Sequence, residues 1–171
     1  LSNLFDALSY EFPDTWIRFM YTQPEYVDDD LIHCVASHEN IAPYFDIPMQ
    51  HVVPKILKSM NRKGSYDEFL KLVAKIRNAV PNVAIRTTLM CGFPGETDED
   101  FDELLRFVEE AEFDYVGTFA FSPEDGTKAC GMDSQVPDDE KEYRLERLRT
   151  VADAVSSQVI SARVGNRYAY L

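Results

Sequence analysis

The segment from Arg86 to Phe101 constrains the fold more than any other part of this 171-residue chain. It runs as an apolar strand up to Cys91, turns at Gly92-Phe93-Pro94-Gly95 and restarts as a helix. Glycine permits a tight turn and a close approach of the backbone to a ligand. Thr97 and Asp100 have the spacing of a capping box, with Asp in place of the usual Glu or Gln. Such a corner between strand and helix is where α/β barrels bind small molecules, although it also occurs as a purely structural turn.

The same alternation of strand and helix extends along the chain. The predicted strands are Trp16–Tyr21, Tyr44–Gln50, Ala84–Cys91 and Tyr115–Phe121. Strands separated by helices pair in parallel through right-handed crossovers, and four of them cannot close a barrel. We therefore predict an α/β fold: a fragment of an incomplete TIM-like (βα) barrel, with four parallel strands, helices on one face and a long helix from about residue 137. The first strand would leave an apolar edge open, which favours self-association or pairing with a partner strand.

Helical spacing and capping residues predict where the helices lie. They are expected near the start of the chain, over residues 28–37 and 54–60, after Ser65, after Thr97, and from residue 137 toward Arg163.

Composition limits the classes of partner and compartment. The net charge of −13 argues against a grip on a nucleic-acid backbone and suits either a basic partner or ordinary solubility. The chain has no apolar run of about eighteen residues and no signal-peptide pattern, so we expect no membrane span. Three cysteines lie far apart without disulfide or metal-site spacing, which is typical of reduced thiols in a cytoplasmic protein with no internal metal site.

The ends of the predicted strands carry the candidate site residues, because function in βα folds lies at the carboxyl ends of strands. Gln50 offers a donor and an acceptor to a sugar hydroxyl or an amide, or else makes a loop hydrogen bond. His51 is a candidate base or ligand, or a histidine satisfied within the protein. Arg86 binds a carboxylate if it faces inward, and is a solvated arginine if it faces outward.

Three aromatic residues also follow or occupy these strands. Phe93, Phe119 and Phe121 are suited to packing against a flat ring, or to the protein core. By contrast, His33 and His38 lie five apart on a helix, on different faces, and receive no role. The acidic runs at residues 98–100 and 138–140 begin helices, where the helix dipole favours them, and are interpreted as caps and not as metal sites.

Taken together, the motifs resemble the radical S-adenosylmethionine methylthiotransferases over nearly the whole chain. They are residues 46–51 (DIPMQH), 58–62 (KSMNR), 86–97 (RTTLMCGFPGET) and 117–127 (GTFAFSPEDGT). Gln50-His51 and residues 117–121 are closer to the RimO type, which modifies an aspartate of a small-subunit ribosomal protein. The MiaB type, which modifies an adenosine in tRNA, usually has Gln-Ser at the first of these places. The acidic charge also suits a basic protein substrate.

The resemblance implies a longer protein. Family members have an N-terminal domain with three cysteines for one 4Fe–4S cluster, then a partial barrel whose Cys-x-x-x-Cys-x-x-Cys loop holds a second, then a TRAM domain. This sequence lacks that cysteine motif, and it begins with Leu1, not Met. We therefore expect residues 1–165 to be the C-terminal part of the barrel and residues 166–171 the truncated start of a TRAM-like domain. The chain alone is expected to bind no cluster and to be inactive.

The resemblance also implies roles for individual residues, with S-adenosylmethionine as cofactor. Arg86 would hold its carboxylate, Gln50 its ribose or amino group, and Phe93 or Phe121 its adenine. His51 and Glu124 would contact the substrate, and no catalytic residue is assigned. The alternatives are the MiaB type, another radical enzyme such as a porphyrinogen oxidase, and a non-catalytic α/β interaction module that has lost its cluster loop.

Overall fold

The computed structural model describes residues 1–165 and contains a parallel three-stranded sheet of order β1-β2-β3. The strands are β1 Tyr44–Gln50, β2 Ala84–Cys91 and β3 Tyr115–Ala120. The helices are α1 Ser2–Glu11, α2 Asp29–Ser37, α3 Pro54–Ser59, α4 Tyr66–Ala79, α5 Asp98–Ala111 and α6 Asp138–Ala162, with short 3₁₀ turns at Pro24–Tyr26 and Ala129–Gly131. The alternation confirms the predicted α/β architecture of parallel strands, crossover helices and a long final helix.

Side chains of the sheet alternate between two faces of different character. On the outer face, Phe45, Ile47, Ile85 and Leu89 are fully buried in the core. Helix α6 packs on β3 and α5, while α4 packs on α5 and α2, so this face is covered by helices. The inner face carries polar side chains, of which Asp46 and Thr88 are buried and Arg86 is partly exposed, and the exposed ring of Phe119 beside Gly117.

Capping residues explain where three helices begin. The Asp28 side chain accepts a hydrogen bond from the Leu31 N–H at 2.8 Å, and Ser65 Oγ accepts one from the Glu68 N–H at 3.4 Å. Thr97 and Asp100 form the predicted reciprocal capping box at the start of α5. These bonds satisfy N–H groups that a helix leaves unpaired in its first turn.

The structure corrects the first predicted strand. Residues 16–21 form one isolated parallel bridge, Ile17 to Ile41, in place of a strand. Further on, the Thr22 N–H donates to the Asp46 carbonyl at 2.9 Å. Tyr21, the last residue of the predicted strand, has a φ of 59°, in the left-handed region, and ends the extended backbone there.

Two expectations concern the extent of the domain. The predicted start of a TRAM-like domain at 166–171 lies outside the described residues. Within residues 1–165, none of the helices combines the length and the apolar character needed to cross a membrane.

Candidate functional site

The carboxyl ends of the three strands meet at one edge of the sheet, here called the rim: Gln50, residues 92–96 and residues 121–122. Parallel pairing sets this arrangement, with Gln50 in register with Leu89 and Cys91 in register with Ala120. The sequence prediction that strand ends converge is therefore met by Gln50 and by the Gly92–Gly95 turn.

The rim backbone is unusual at three positions. Gln50, Gly92 and Gly95 have φ values of 71°, 74° and 84°. The strain is greatest at Gln50, because a residue with an L side chain rarely adopts the left-handed region of φ. The β1–β2 register also shifts just before this residue. Gly92 has no room for a side chain, since a Cβ there would lie 2.6 Å from Lys141 Cγ. Strain and close packing of this kind are common where a fold presents backbone to a ligand.

A buried polar network, the Glu96 cluster, fixes the rim; it consists of His51, Gly92, Glu96 and Arg144. Glu96 Oε1 accepts from the Gly92 N–H at 2.9 Å and from Arg144 Nη1 at 2.7 Å. Its Oε2 is 3.2 Å from His51 Nε2. A carboxylate that is fully buried is stable only when its lone pairs are satisfied in this way. The cluster thereby joins the ends of β1 and β2 to helix α6.

Both ring nitrogens of His51 have protein partners. Its Nδ1 accepts from the Val53 N–H at 3.1 Å, so in the neutral ring Nε2 carries the hydrogen and donates to Glu96. The imidazole is fully buried within the chain. These contacts favour a positioning role, and the substrate contact expected for His51 stays a prediction.

Arg144 is the member of the cluster that sequence reasoning missed. Its side chain is only 5% exposed and also donates to Asp98 at 2.6 Å and Glu140 at 2.7 Å. Burial disfavours the charge, but the bonds to Glu96 and Glu140 outweigh it and raise the pKa of Arg144. Its position carried a signal, because Arg144, Leu148 and Ala152 are spaced by four on the buried stripe of α6. An arginine on a buried stripe requires a carboxylate partner.

Arg86 lies away from the rim. It is the third residue of β2, in register with Asp46 and Tyr115, and its guanidinium donates to Asp46 Oδ1 at 2.8 Å. Burial opposes its charge, yet the hydrogen bond that it donates to Asp46 raises the pKa of Arg86 overall. The rings of Tyr21 and Tyr115 flank it at 5.8 and 5.5 Å. The Arg86 side chain therefore lies on the inner face, which is the orientation that carboxylate binding requires.

Asp46 leaves an unsatisfied acceptor beside this arginine. Its Oδ2 is buried and is without a hydrogen-bond partner in the described part of the chain. Unpaired buried acceptors are costly and are usually filled by a water or a ligand donor.

The aromatic candidates differ in exposure. Phe93 and Phe121 are buried against each other, edge to face, with centroids 5.1 Å apart. Phe119 is 55% exposed on the inner face. Of the three rings, Phe119 therefore has the most surface available to a ligand, while Phe93 and Phe121 form a buried apolar layer beneath the rim.

Glu124 lies in the exposed loop after β3. The Glu124 carbonyl accepts from the Thr127 N–H at 3.1 Å and from Thr127 Oγ1 at 2.7 Å, which closes a turn. Its side chain is exposed to solvent.

The residues present suit a nucleoside sulfonium ligand better than an iron–sulfur cluster. The rim supplies turned backbone, an amide at Gln50 and an apolar floor, and the inner face supplies the unpaired Asp46 oxygen. A cluster needs several thiolates together, whereas burial raises the pKa of Cys91 to about 12 and no three cysteines converge within residues 1–165.

Comparisons with known proteins identify the family. Residues 11–108 match the Radical SAM superfamily. Proteins named ribosomal protein uS12 methylthiotransferase RimO are similar: from Alkaliphilus oremlandii, 44% identical over 91% of this chain; from Pelotomaculum thermopropionicum, 47% over 88%; and from Clostridioides difficile, 37% over 100%. The alignments cover 36%, 34% and 38% of those proteins, so the chain spans about a third of the relatives' length.

Solved structures share the fold at low sequence identity. Coproporphyrinogen III oxidase HemN from Escherichia coli superposes with a TM-score of 0.68 at 18% identity, over 92% of this chain and 36% of that one. Elp3 from Methanocaldococcus infernus gives 0.61 at 15% identity, over 87% and 41%. SuiB from Streptococcus suis, solved with S-adenosylmethionine, gives 0.55 at 17%, over 92% and 32%.

Proposed function

The chain belongs to the radical SAM superfamily, and on that premise we propose that it is part of a methylthiotransferase acting on an aspartate of ribosomal protein uS12. The observation that carries the proposal is the run of RimO relatives at 37–47% identity across nearly the whole chain. The convergence of Gln50 and the Gly92–Gly95 turn at one rim supports it, because this is the edge where βα folds bind ligands.

S-adenosylmethionine and two 4Fe–4S clusters of the complete protein would supply the hydrogen-abstracting and sulfur-transfer chemistry. The part played by this chain is to bind and orient. Gln50 would hydrogen-bond the ribose or amino group, and Phe93 or Phe121 would lie on the adenine side. The clusters would be held by residues outside this chain, since its cysteines do not converge.

The Glu96 cluster would position the rim during binding. Glu96 holds the Gly92 N–H, and Arg144 and His51 hold Glu96, so the turn cannot shift without breaking three buried bonds. A preorganised turn lowers the ordering cost of ligand binding.

Arg86 would act from the inner face. With Asp46 on one amino group, the rest of its planar guanidinium is available to a carboxylate, and S-adenosylmethionine carries one. To test this, Arg86→Ala in the complete protein should weaken S-adenosylmethionine binding by at least about tenfold, ~1.4 kcal/mol, in equilibrium dialysis. Arg18→Ala, an exposed arginine on the neighbouring segment, is the control. Unchanged affinity in Arg86→Ala would refute carboxylate binding by Arg86 and would leave the proposed reaction unaffected.

The substrate fits the charge of the chain. A net charge of −13 would attract a basic ribosomal protein and repel nucleic acid. Glu124, exposed in the loop after β3, would contact a basic segment of that substrate. We expect the protein to work in the cytoplasm, where thiols stay reduced.

The reaction is tested on the complete gene product after reconstitution of its clusters. Mass spectrometry of uS12 should find a methylthio group on one aspartate, and residues 1–171 alone should transfer none. Modification of a tRNA adenosine in place of uS12 would favour the MiaB type. A complete reading frame without a Cys-x-x-x-Cys-x-x-Cys motif would favour a non-catalytic module.

A further inference from the structure

Three possible metal ligands of different chemistry meet far from the rim, where α1 packs against α2. They are Asp6, Cys34 and His38, whose ligand atoms all lie within 4.8 Å of one another. Cys34 is 3% exposed, His38 is largely buried, and Asp6 is 44% exposed. The site thus has one buried ligand, one that is largely buried and one that reaches solvent.

The local fold brings the three together for simple reasons. Cys34 and His38 are four residues apart, which places them on one face of α2 and its C-cap. Asp6 faces them from α1, with Oδ1 2.8 Å from His38 Nε2. The Tyr10 ring lies edge-on to the His38 ring at 5.2 Å and limits its rotation. Helical spacing of His33 and His38 had assigned neither a role, because the third ligand lies on another helix.

We propose that Asp6, Cys34 and His38 bind one Zn²⁺ ion, with water as the fourth ligand. Thiolate, imidazole and carboxylate are the ligands that zinc takes in proteins, and three of them with a water make an open tetrahedral site. With metal–ligand bonds of about 2.0–2.3 Å, the ligand atoms should be roughly 3.3–3.8 Å apart. The His38–Asp6 pair must therefore open by less than about 1 Å, which the exposed Asp6 side chain can do by rotating.

Metal binding would change the protonation of the site. Burial, with a hydrogen bond to Asp6, raises the pKa of the Cys34 thiol to about 12. Zinc would replace that proton, as it does when it binds cysteine in other proteins. Bound zinc would tie the first helix to α2 through side chains from both.

Cobalt spectroscopy on the 171-residue chain tests the site directly. Adding Co²⁺ should produce the visible bands of a tetrahedral ion and a near-ultraviolet thiolate-to-cobalt band at one ion per chain, and Zn²⁺ should remove both. Cys34→Ser should abolish the thiolate band and raise the Zn²⁺ dissociation constant at least about tenfold. Cys130→Ser, in the half-buried 3₁₀ turn at Ala129–Gly131, is the matched control and should keep the band.

Stability measurements separate a lost site from a lost fold. Asp6→Asn retains the shape of the side chain and His38→Gln keeps a polar group of similar reach, and we expect both to fold. Zn²⁺ should raise the melting temperature of the unsubstituted chain and of Cys130→Ser. It should not raise the melting temperature of Asp6→Asn or of His38→Gln. A thiolate band that persists in Cys34→Ser, or the absence of any band in the original chain, overturns the proposal.

Discussion

One carboxylate organises the candidate site. Glu96 is fully buried and receives bonds from a backbone N–H, a guanidinium and an imidazole that belong to three different parts of the chain. Removing a carboxylate from water is costly, so a buried one is stable only with such partners. Loss of a partner leaves the charge without compensation. The partner that carries the opposite charge is Arg144, so its loss should matter most.

Arg144→Met should destabilise the chain by about 3 kcal/mol, because it leaves the Glu96 charge buried without its cation. Arg147→Met is the matched control on the same helix. Arg147 is 43% exposed and its ion pair with Asp102 spans 3.7 Å, so its loss should cost no more than about 1 kcal/mol. Urea denaturation at pH 7 measures both. Equal losses in the two variants would mean that the Glu96 cluster adds nothing to the fold.

At the scale of elements, the start of α5 fixes where the rim turn ends. Thr97 and Asp100 exchange hydrogen bonds there, and Lys55 lies 2.7 Å from the Asp100 carboxylate. Burial would raise the pKa of Asp100, but the bonds from Lys55 and Thr97 prevail and hold it below its ordinary value of 3.8. The ionised form is therefore favoured by the folded state.

Asp100→Asn should show this as a pH dependence. A lowered pKa gives stability that is present above the unfolded value and lost as pH falls through the folded value. The variant should be about 0.5–1 kcal/mol less stable at pH 7, and the gap should narrow below about pH 4. Urea midpoints at pH 7 and pH 3 measure it, with exposed Asp102→Asn as control. A gap that is constant across this range would contradict the assignment.

Local patterns predicted the elements whose signals are local. The caps at Ser65 and Thr97 and the apolar runs of β1 and β2 stand where the sequence indicated them. The first strand was wrong because an apolar run does not reveal whether a neighbouring strand pairs with it, and residues 16–21 form one bridge, from Ile17 to Ile41. Pairing of a strand depends on its neighbour as much as on its own residues.

The location of the candidate site could be predicted from the sequence, but the hydrogen bonds within it could not. Parallel topology alone places Gln50 and the glycine turn at one edge. The bonds of Glu96 to His51 and Arg144 join residues 45 and 48 positions apart, and no spacing rule connects them. Arg86 shows the same limit, because its strand position was readable while its bond to Asp46 was not.

At the scale of the whole molecule, the side of the sheet next to β1 is incompletely covered. The segment at 17–22 makes few backbone bonds with its neighbours. Beside it lies a cavity of about 620 Å³ lined in part by Leu1, Leu4, Phe5 and Tyr26. Leu4, Met20 and Tyr26 are each about half exposed or more. Apolar side chains beside an unpaired edge favour association with another chain, against the repulsion of a net charge of −13.

We therefore expect the 171-residue chain to self-associate through this edge as its concentration rises, and more strongly in high salt, which screens the charge. Light scattering over a concentration series should show a rising average mass. Met20→Lys places a charge on the edge and should keep the chain monomeric, because a lysine there must be desolvated for pairing. Tyr143→Lys on α6, where the side chain is 56% exposed, adds the same charge elsewhere and should associate like the original chain. If the original chain stays monomeric at its highest attainable concentration, or if Met20→Lys associates equally well, the edge is not a contact surface, and the exposed apolar residues are tolerated without a partner.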